Sequence, residues 1–301
     1  MSNRIVIVGA GYTGLRLAEA ALDRGYDAVG TTRSEETTKE LRRLGAERMM
    51  WDALEDSAES LEAAIDPAST VVYSVPTLFD EHTSAGEGLA QHVEPVEAVI
   101  GAAEAAGASR FIYLSSTSVY GDHDGGWVDE TTPTAPTSPM GKMRRDIEEH
   151  VLERDTSLAM NVARLVGIYG PGRTMADYIE RGFYRLVDGG EKPSNRIHVD
   201  DIVGGLMALI ERGPDGARLY NFSDGHPRSV ADVVDWLVER LGLERPESVS
   251  MEEYARERSE NAVARWRNTY RVDNHRLVDE LDYAFEYPDV FAGLEAIYAD
   301  G

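Results

Sequence analysis

Cysteine is absent from all 301 residues, and lysine occurs only at Lys39, Lys142 and Lys192. Without thiols there is no disulfide, no thiolate nucleophile and no cysteine-held metal cluster. The seven histidines are scattered rather than set at ligand spacing, so no metal site is expected. No apolar run approaches the roughly 20 residues of a membrane-spanning helix, and the N-terminus lacks the charged and apolar regions of a signal peptide. These absences lead us to expect a cytoplasmic protein with no membrane partner.

Basic residues are also in short supply, 30 against 54 acidic ones, for a formal charge of −24. That balance excludes nucleic-acid binding through a basic face. Excess carboxylates keep a chain hydrated where salt screens their repulsion, so a halophilic surface is expected. A GC-rich genome that favours arginine over lysine is the alternative. The length suits one large α/β domain, or a dinucleotide domain carrying a smaller one.

The strongest local signal opens the chain. Residues 4–8, Arg-Ile-Val-Ile-Val, form an apolar β-branched run that breaks into Gly9-Ala10-Gly11-Tyr12-Thr13-Gly14 and then into a helical stretch from Leu15 to Leu22. This is strand, glycine turn, helix. Gly9 permits the sharp turn, Gly11 lets backbone N–H groups approach a pyrophosphate, and Gly14 brings the helix close to the strand. A dinucleotide is expected there, resting on Gly9, Gly11, Tyr12, Thr13 and Gly14. A second strand from Asp27 ends at Arg33, about 20 residues on, where an acidic residue would meet the ribose of NAD. A guanidinium there suits the 2′-phosphate of NADP instead, with NAD open as the alternative through Glu35 or Glu36.

Further strands are expected at Ala46–Trp51, leading to Asp52, at Thr70–Val75, and at Arg110–Ser116. Asp52 and Ser74 fall where strand ends line the cofactor cleft. A polar loop runs to Gly88, and a helix with Pro95 inside it covers Leu89–Ala106. The repeated βα alternation predicts an α/β fold with a doubly wound parallel sheet. Val230–Leu241 carries apolar residues at helical spacing, and Glu252–Glu260 reads as a solvated charged helix.

Five segments then occur in order: Ser115 to Gly121; Asp129-Glu130 with Pro133 and Pro136; Arg164 to Gly172; Ile197 to Asp201; and Tyr220-Asn221-Phe222. With Arg271-Val272-Asp273-Asn274, Leu277 and Leu281 they span nearly the whole chain. The sequence resembles the extended short-chain dehydrogenase/reductase superfamily, in its NAD-dependent epimerase/dehydratase group. The resemblance implies a Rossmann domain over residues 1–166 and a smaller substrate-side region over 167–301, with about 197–212 packing back on the first. It also implies a homodimer paired through the helices after the fourth and fifth strands.

One departure stands at the active site. The group uses a serine or threonine after the fifth strand and a Y-x-x-x-K pair on the next helix, where the lysine lowers the phenol pKa. By resemblance Ser116 holds the serine place. Pro139, Gly141 and Glu148 fix the helix register, which puts Met140 at the tyrosine and Arg144 at the lysine. A thioether exchanges no proton, and Arg144 is left the role of holding ribose hydroxyls. Lys142 should face solvent.

Three replacements for the acid are considered. The first is the Asp122-His123-Asp124 turn, whose plainer reading is a solvated loop. The second is Tyr120 or Tyr169, expected to pack in the core or cleft wall. The third is His198 beside Asp200-Asp201, the pair expected to cap a helix from Ile202 to Ile210. Tyr254 and Arg258 repeat the Y-x-x-x-R spacing by coincidence. Tyr169 and Arg173 would face the substrate, Arg173 taking a phosphate or carboxylate or lying free on its glycine loop. The expectation is an NAD(P)-dependent oxidoreductase or epimerase for a small polar or sugar-derived molecule. Its rival is a silent NADP-binding sensor or scaffold. A dehydratase with carboxylate acid and base is weakened, because Thr117 and Ser118 stand where that group's dehydratases carry Asp and Glu.

Overall fold

Ile5 and Ile7 pack into one apolar cluster and Val6 and Val8 into another, and all four are fully buried. Successive side chains of a strand point to opposite faces, so this strand has helices on both sides. The computed structural model describes residues 3–53, 55–76 and 89–299, apart from the side chains of 89–91. From residue 77 to Gly88, the polar loop expected after the fourth strand lies outside the described residues.

Seven strands form the central sheet: β1 (Arg4–Val8), β2 (Asp27–Thr32), β3 (Glu47–Met50), β4 (Thr70–Tyr73), β5 (Arg110–Ser116), β6 (Ala159–Leu165) and β7 (Arg218–Phe222). Their order is β7-β6-β5-β4-β1-β2-β3, with every neighbouring pair parallel. This is a doubly wound, Rossmann-like sheet whose order reverses between β4 and β1.

The principal helices are α1 (Tyr12–Asp23), α2 (Glu35–Leu44), α3 (Leu89–Ala105), α4 (Pro139–Leu152), α5 (Val199–Arg212) and α6 (Val230–Leu241). Leu17, Ala18 and Ala21 of α1 join Ile202, Leu206 and Leu209 of α5 on one face. Val96, Val99 and Ile100 of α3 join Ile147 and Val151 of α4 on the other. A third cluster ties Val233, Val234 and Leu237 of α6 to Leu186 and Leu294, away from the sheet.

The chain does not stay on one side of residue 166. After the first substrate-side segments it returns through α5 and then through β7, which pairs with β6 from Arg218↔Asn161 to Phe222↔Leu165. The expected charged helix is also divided. It becomes Met251–Arg256, capped by Ser250, and Glu260–Arg267, preceded by Ser259.

Candidate active site

The C-terminal ends of β1 and β4 meet at the reversal of strand order and open into a cleft of about 1480 Å³. One small-molecule pocket occupies ~300–1,000 Å³, so there is room for a dinucleotide and a second molecule side by side. Gly9 turns at φ +92°, and a Cβ there would come within 3.0 Å of Val75. Its N–H donates to Thr31 Oγ1 at 3.0 Å. A Cβ on Gly14 would stand 3.0 Å from the Gly9 carbonyl oxygen and from Ile7, which is how α1 lies so close to β1. At Gly11 a Cβ would meet no protein atom within 4 Å. The residue lines the cleft and gives α1 no side-chain cap, so the first N–H groups of that helix suit a pyrophosphate.

Thr13 is buried beneath this turn. The Tyr12 side chain crosses the cleft instead, its hydroxyl donating to the Pro171 carbonyl at 3.1 Å. Arg16 and Arg173 lie over its ring, 4.1 and 5.3 Å from the centroid. Ser74 follows β4 in the cleft wall, its N–H donating to the Val8 carbonyl at 2.8 Å. Beyond β2, Arg33 Nη1 donates to Asp52 Oδ2 at 3.2 Å. Ser34 caps α2 beside them, accepting from the Thr37 N–H.

The far end of the same cleft gathers Ser116, Met140, Arg144 and Tyr270. Ser116 ends β5, and its hydroxyl oxygen accepts from the Ser118 N–H at 3.3 Å. Arg144 Nη1 donates to Ser118 Oγ at 3.0 Å. Burial lowers its pKa, yet a guanidinium keeps its charge. Ser138 caps α4 by accepting from the Gly141 N–H, which sets the helix that presents positions 140 and 144. The Met140 N–H donates to Asn261 Oδ1 at 3.2 Å. Opposite, Lys192 Nζ donates to the carbonyls of Arg265, at 2.6 Å, and Asn268, and burial pulls its pKa down to about 8.

Residues 5–222 match the NAD dependent epimerase/dehydratase family. The chain belongs to that family. It is 28% identical over 292 residues to Protein YeeZ of Escherichia coli K12, covering 95% of this chain and 97% of that one. A functionally unknown conserved protein from Silicibacter pomeroyi is 33% identical, with a TM-score of 0.79 over 99% of this chain and 98% of its own. MoeE5, solved in complex with UDP-glucose and NAD, shares the fold at 22% identity and a TM-score of 0.78, covering 98% of this chain and 97% of that one. A nicotinamide cofactor belongs to the family by name, and the glycine turn with its open space at Gly11 suits one.

Tyr169 lines the cleft and is buried in its wall, with its hydroxyl donating to the Asp289 carbonyl at 3.4 Å and lying against Gly293 of the helix Val290–Ile297. Asp201 does not cap α5. The helix starts three residues earlier, and His198 caps it by accepting from the Asp200 N–H at Nδ1. Asp201 is fully buried and accepts from the Tyr283 hydroxyl and from the N–H groups of Glu286 and Tyr287.

Tyr120 is buried too, its hydroxyl within 2.8 Å of both the Asp129 carbonyl and Asn221 Oδ1. Lys142 is exposed. Asp122 accepts from the N–H and hydroxyl of Thr269 and is engaged in holding that segment.

Tyr254 and Arg258 do reach the cleft, with Arg265, Trp266 and Tyr270. Sequence distance hid this: Tyr254 lies in the first of two short helices, Arg258 between them, Arg265 and Trp266 in the second, and Tyr270 just before the strand Arg271–Val272. Contacts of Asn261 with Met140, of Arg265 with Lys192 and of Thr269 with Asp122 bring them in.

Proposed function

We propose that this protein is an NADP(H)-dependent oxidoreductase acting on a small polar substrate that carries negative charge. The observation that carries the reading is one continuous cleft, with the glycine turn and Arg33 at one end and Ser116 with Arg144 at the other. Gly9 to Gly14 would hold the pyrophosphate on the N-terminus of α1. Arg33 and the Ser34 hydroxyl would meet the 2′-phosphate. Arg144 would hold the nicotinamide ribose, and Ser116 would orient the substrate oxygen. When bound, the cofactor supplies or accepts a hydride at nicotinamide C4.

Negative charge on the substrate follows from the side opposite Ser116. Arg196 and Lys192 are only partly exposed there, and Arg258 and Arg265 join them, although the chain as a whole carries a charge of −24. Cations gathered in a cleft of such an acidic protein focus an anion into it. A sugar nucleotide, of the kind bound by MoeE5, and a small carboxylate both meet that requirement.

Methionine at position 140 favours a second reading, a sensor that binds NADP and does not turn over. A fluorescence titration with NADPH and NADH in high salt tests the cofactor, and a screen of aldehydes, ketones and oxidised sugar nucleotides tests turnover. NADPH bound more tightly than NADH, with that preference lost in Arg33→Ala, is expected. Binding of neither dinucleotide removes the oxidoreductase reading. Binding without NADPH oxidation across the screen leaves the sensor.

A further inference from the structure

The cleft contains a phenol that the sequence spacing did not foreshadow. Tyr270 lies in the segment 268–272, and its hydroxyl donates to Thr117 Oγ1 at 3.3 Å, one residue beyond Ser116. It lines the cleft together with Ser116, Met140 and Arg144, and Arg144 is close enough to act on it electrostatically.

Its position is held from both sides. The Thr269 N–H and hydroxyl donate to Asp122 Oδ1 at 2.7 and 2.9 Å, and the Thr269 carbonyl accepts from the N–H groups of His123 and Gly125. Asn195 spans the tyrosine itself, donating to the Tyr270 carbonyl at 2.9 Å and accepting from the Val272 N–H at 2.9 Å. Arg271–Val272 then pairs with Trp127–Val128 as a short parallel bridge. The acidic turn after β5 therefore does not supply an acid itself; it fastens the segment that carries one.

We propose that Tyr270 is the proton donor that position 140 cannot be, with Arg144 stabilising the phenolate it leaves. This rests on the oxidoreductase reading. As the carbonyl carbon of the substrate takes a hydride from the reduced nicotinamide, the C=O π bond opens and its oxygen takes the Tyr270 proton. The carbonyl compound becomes an alcohol and the reduced dinucleotide is oxidised. The phenolate recovers a proton from water through the Thr117 hydroxyl.

Burial raises the Tyr270 pKa, with Thr117, Arg144 and Arg265 each acting to lower it. The phenol is therefore protonated at neutral pH, which is the form that carbonyl reduction draws on.

The test labels the tyrosines with 13C at Cζ and assigns Tyr270 as the resonance lost in Tyr270→Phe. Saturation with NADPH is expected to shift that resonance, whereas adenosine 2′,5′-bisphosphate, which lacks the nicotinamide, leaves it in place. A Tyr270 resonance unmoved by bound NADPH overturns the proposal while leaving the cofactor assignment standing. A wild type that binds neither NADPH nor NADH overturns both.

On any carbonyl compound that the wild type reduces, Tyr270→Phe should lower kcat by about 100-fold or more with NADPH affinity unchanged, in the range of a lost general acid. Tyr270→Phe at the wild-type rate overturns the role. Should that variant fold poorly, Arg144→Gln keeps the phenol and removes the charge beside it together with the ribose contact, so it is measured at saturating NADPH and across pH. It is then expected to lower kcat, and an unchanged kcat overturns the proposal.

Discussion

Arg33 and Asp52 meet at the end of β2, Nη1 to Oδ2, at 3.2 Å. The arginine is the more open partner, its side chain 64% exposed against 21% for the aspartate. The carboxylate therefore holds the guanidinium in the cleft wall and also competes with any phosphate for it. An exposed pair of this kind is worth up to about 1 kcal/mol. Replacing Asp52 with Asn should tighten NADPH binding by up to about fivefold with little effect on NADH. Competitive titrations of the two dinucleotides would read this, and an equal gain for both would show that Arg33 does not contact the 2′-phosphate.

Arg173 was expected to meet the substrate, yet it lies over the ring of Tyr12, the first residue of α1. That position is at the cofactor end of the cleft. A charge-assisted contact with a pyrophosphate oxygen contributes about 1.5 kcal/mol or more, so Arg173→Ala should weaken NADPH by about tenfold. The same loss should be seen with NADH, since both share the pyrophosphate. Unchanged dinucleotide affinity with a raised KM for substrate would return Arg173 to the substrate side.

Local signals made the nucleotide half legible. The β-branched run, the three glycines and α1 are contiguous in sequence, and the unbroken apolar run of β1 fits a strand covered on both faces. The reacting end depends on contacts that the sequence does not order. Tyr270 meets Thr117 across 153 positions, and Asp122 meets Thr269 across 147. His198 and Asp201 show a subtler limit. Either could cap a helix beginning nearby, and what decides between them is the segment 283–287, whose N–H groups and phenol claim the Asp201 carboxylate.

That claim sets a stability prediction. Asp201 is buried with three donors on its two oxygens, from Tyr283, Glu286 and Tyr287. Asp201→Ala leaves those donors unpaired and detaches the segment from α5, which should cost at least about 2 kcal/mol. Asp201→Asn keeps an acceptor and should cost less. Urea unfolding followed by circular dichroism gives both values, and an alanine variant as stable as the wild type would mean that the segment finds equivalent partners in water.

Asp224 carries the clearest pH signature. It is buried after β7, and loss of solvent, helped by Asp289 and Asp201 and opposed by the His226 N–H and Arg196, pushes its pKa up to about 7. A carboxyl whose folded pKa exceeds its unfolded value near ~3.9 binds more proton in the native state. Stability is then lost as pH rises from about 4 to about 7, and the penalty is constant above that. Asp224→Asn keeps an acceptor for the His226 N–H, now at 2.9 Å, and removes the ionisation. Its stability relative to the wild type should therefore improve by about 2–3 kcal/mol between about pH 5 and about pH 8. Urea midpoints of both proteins at the two pH values measure the difference, and a difference independent of pH would show that Asp224 is ionised throughout.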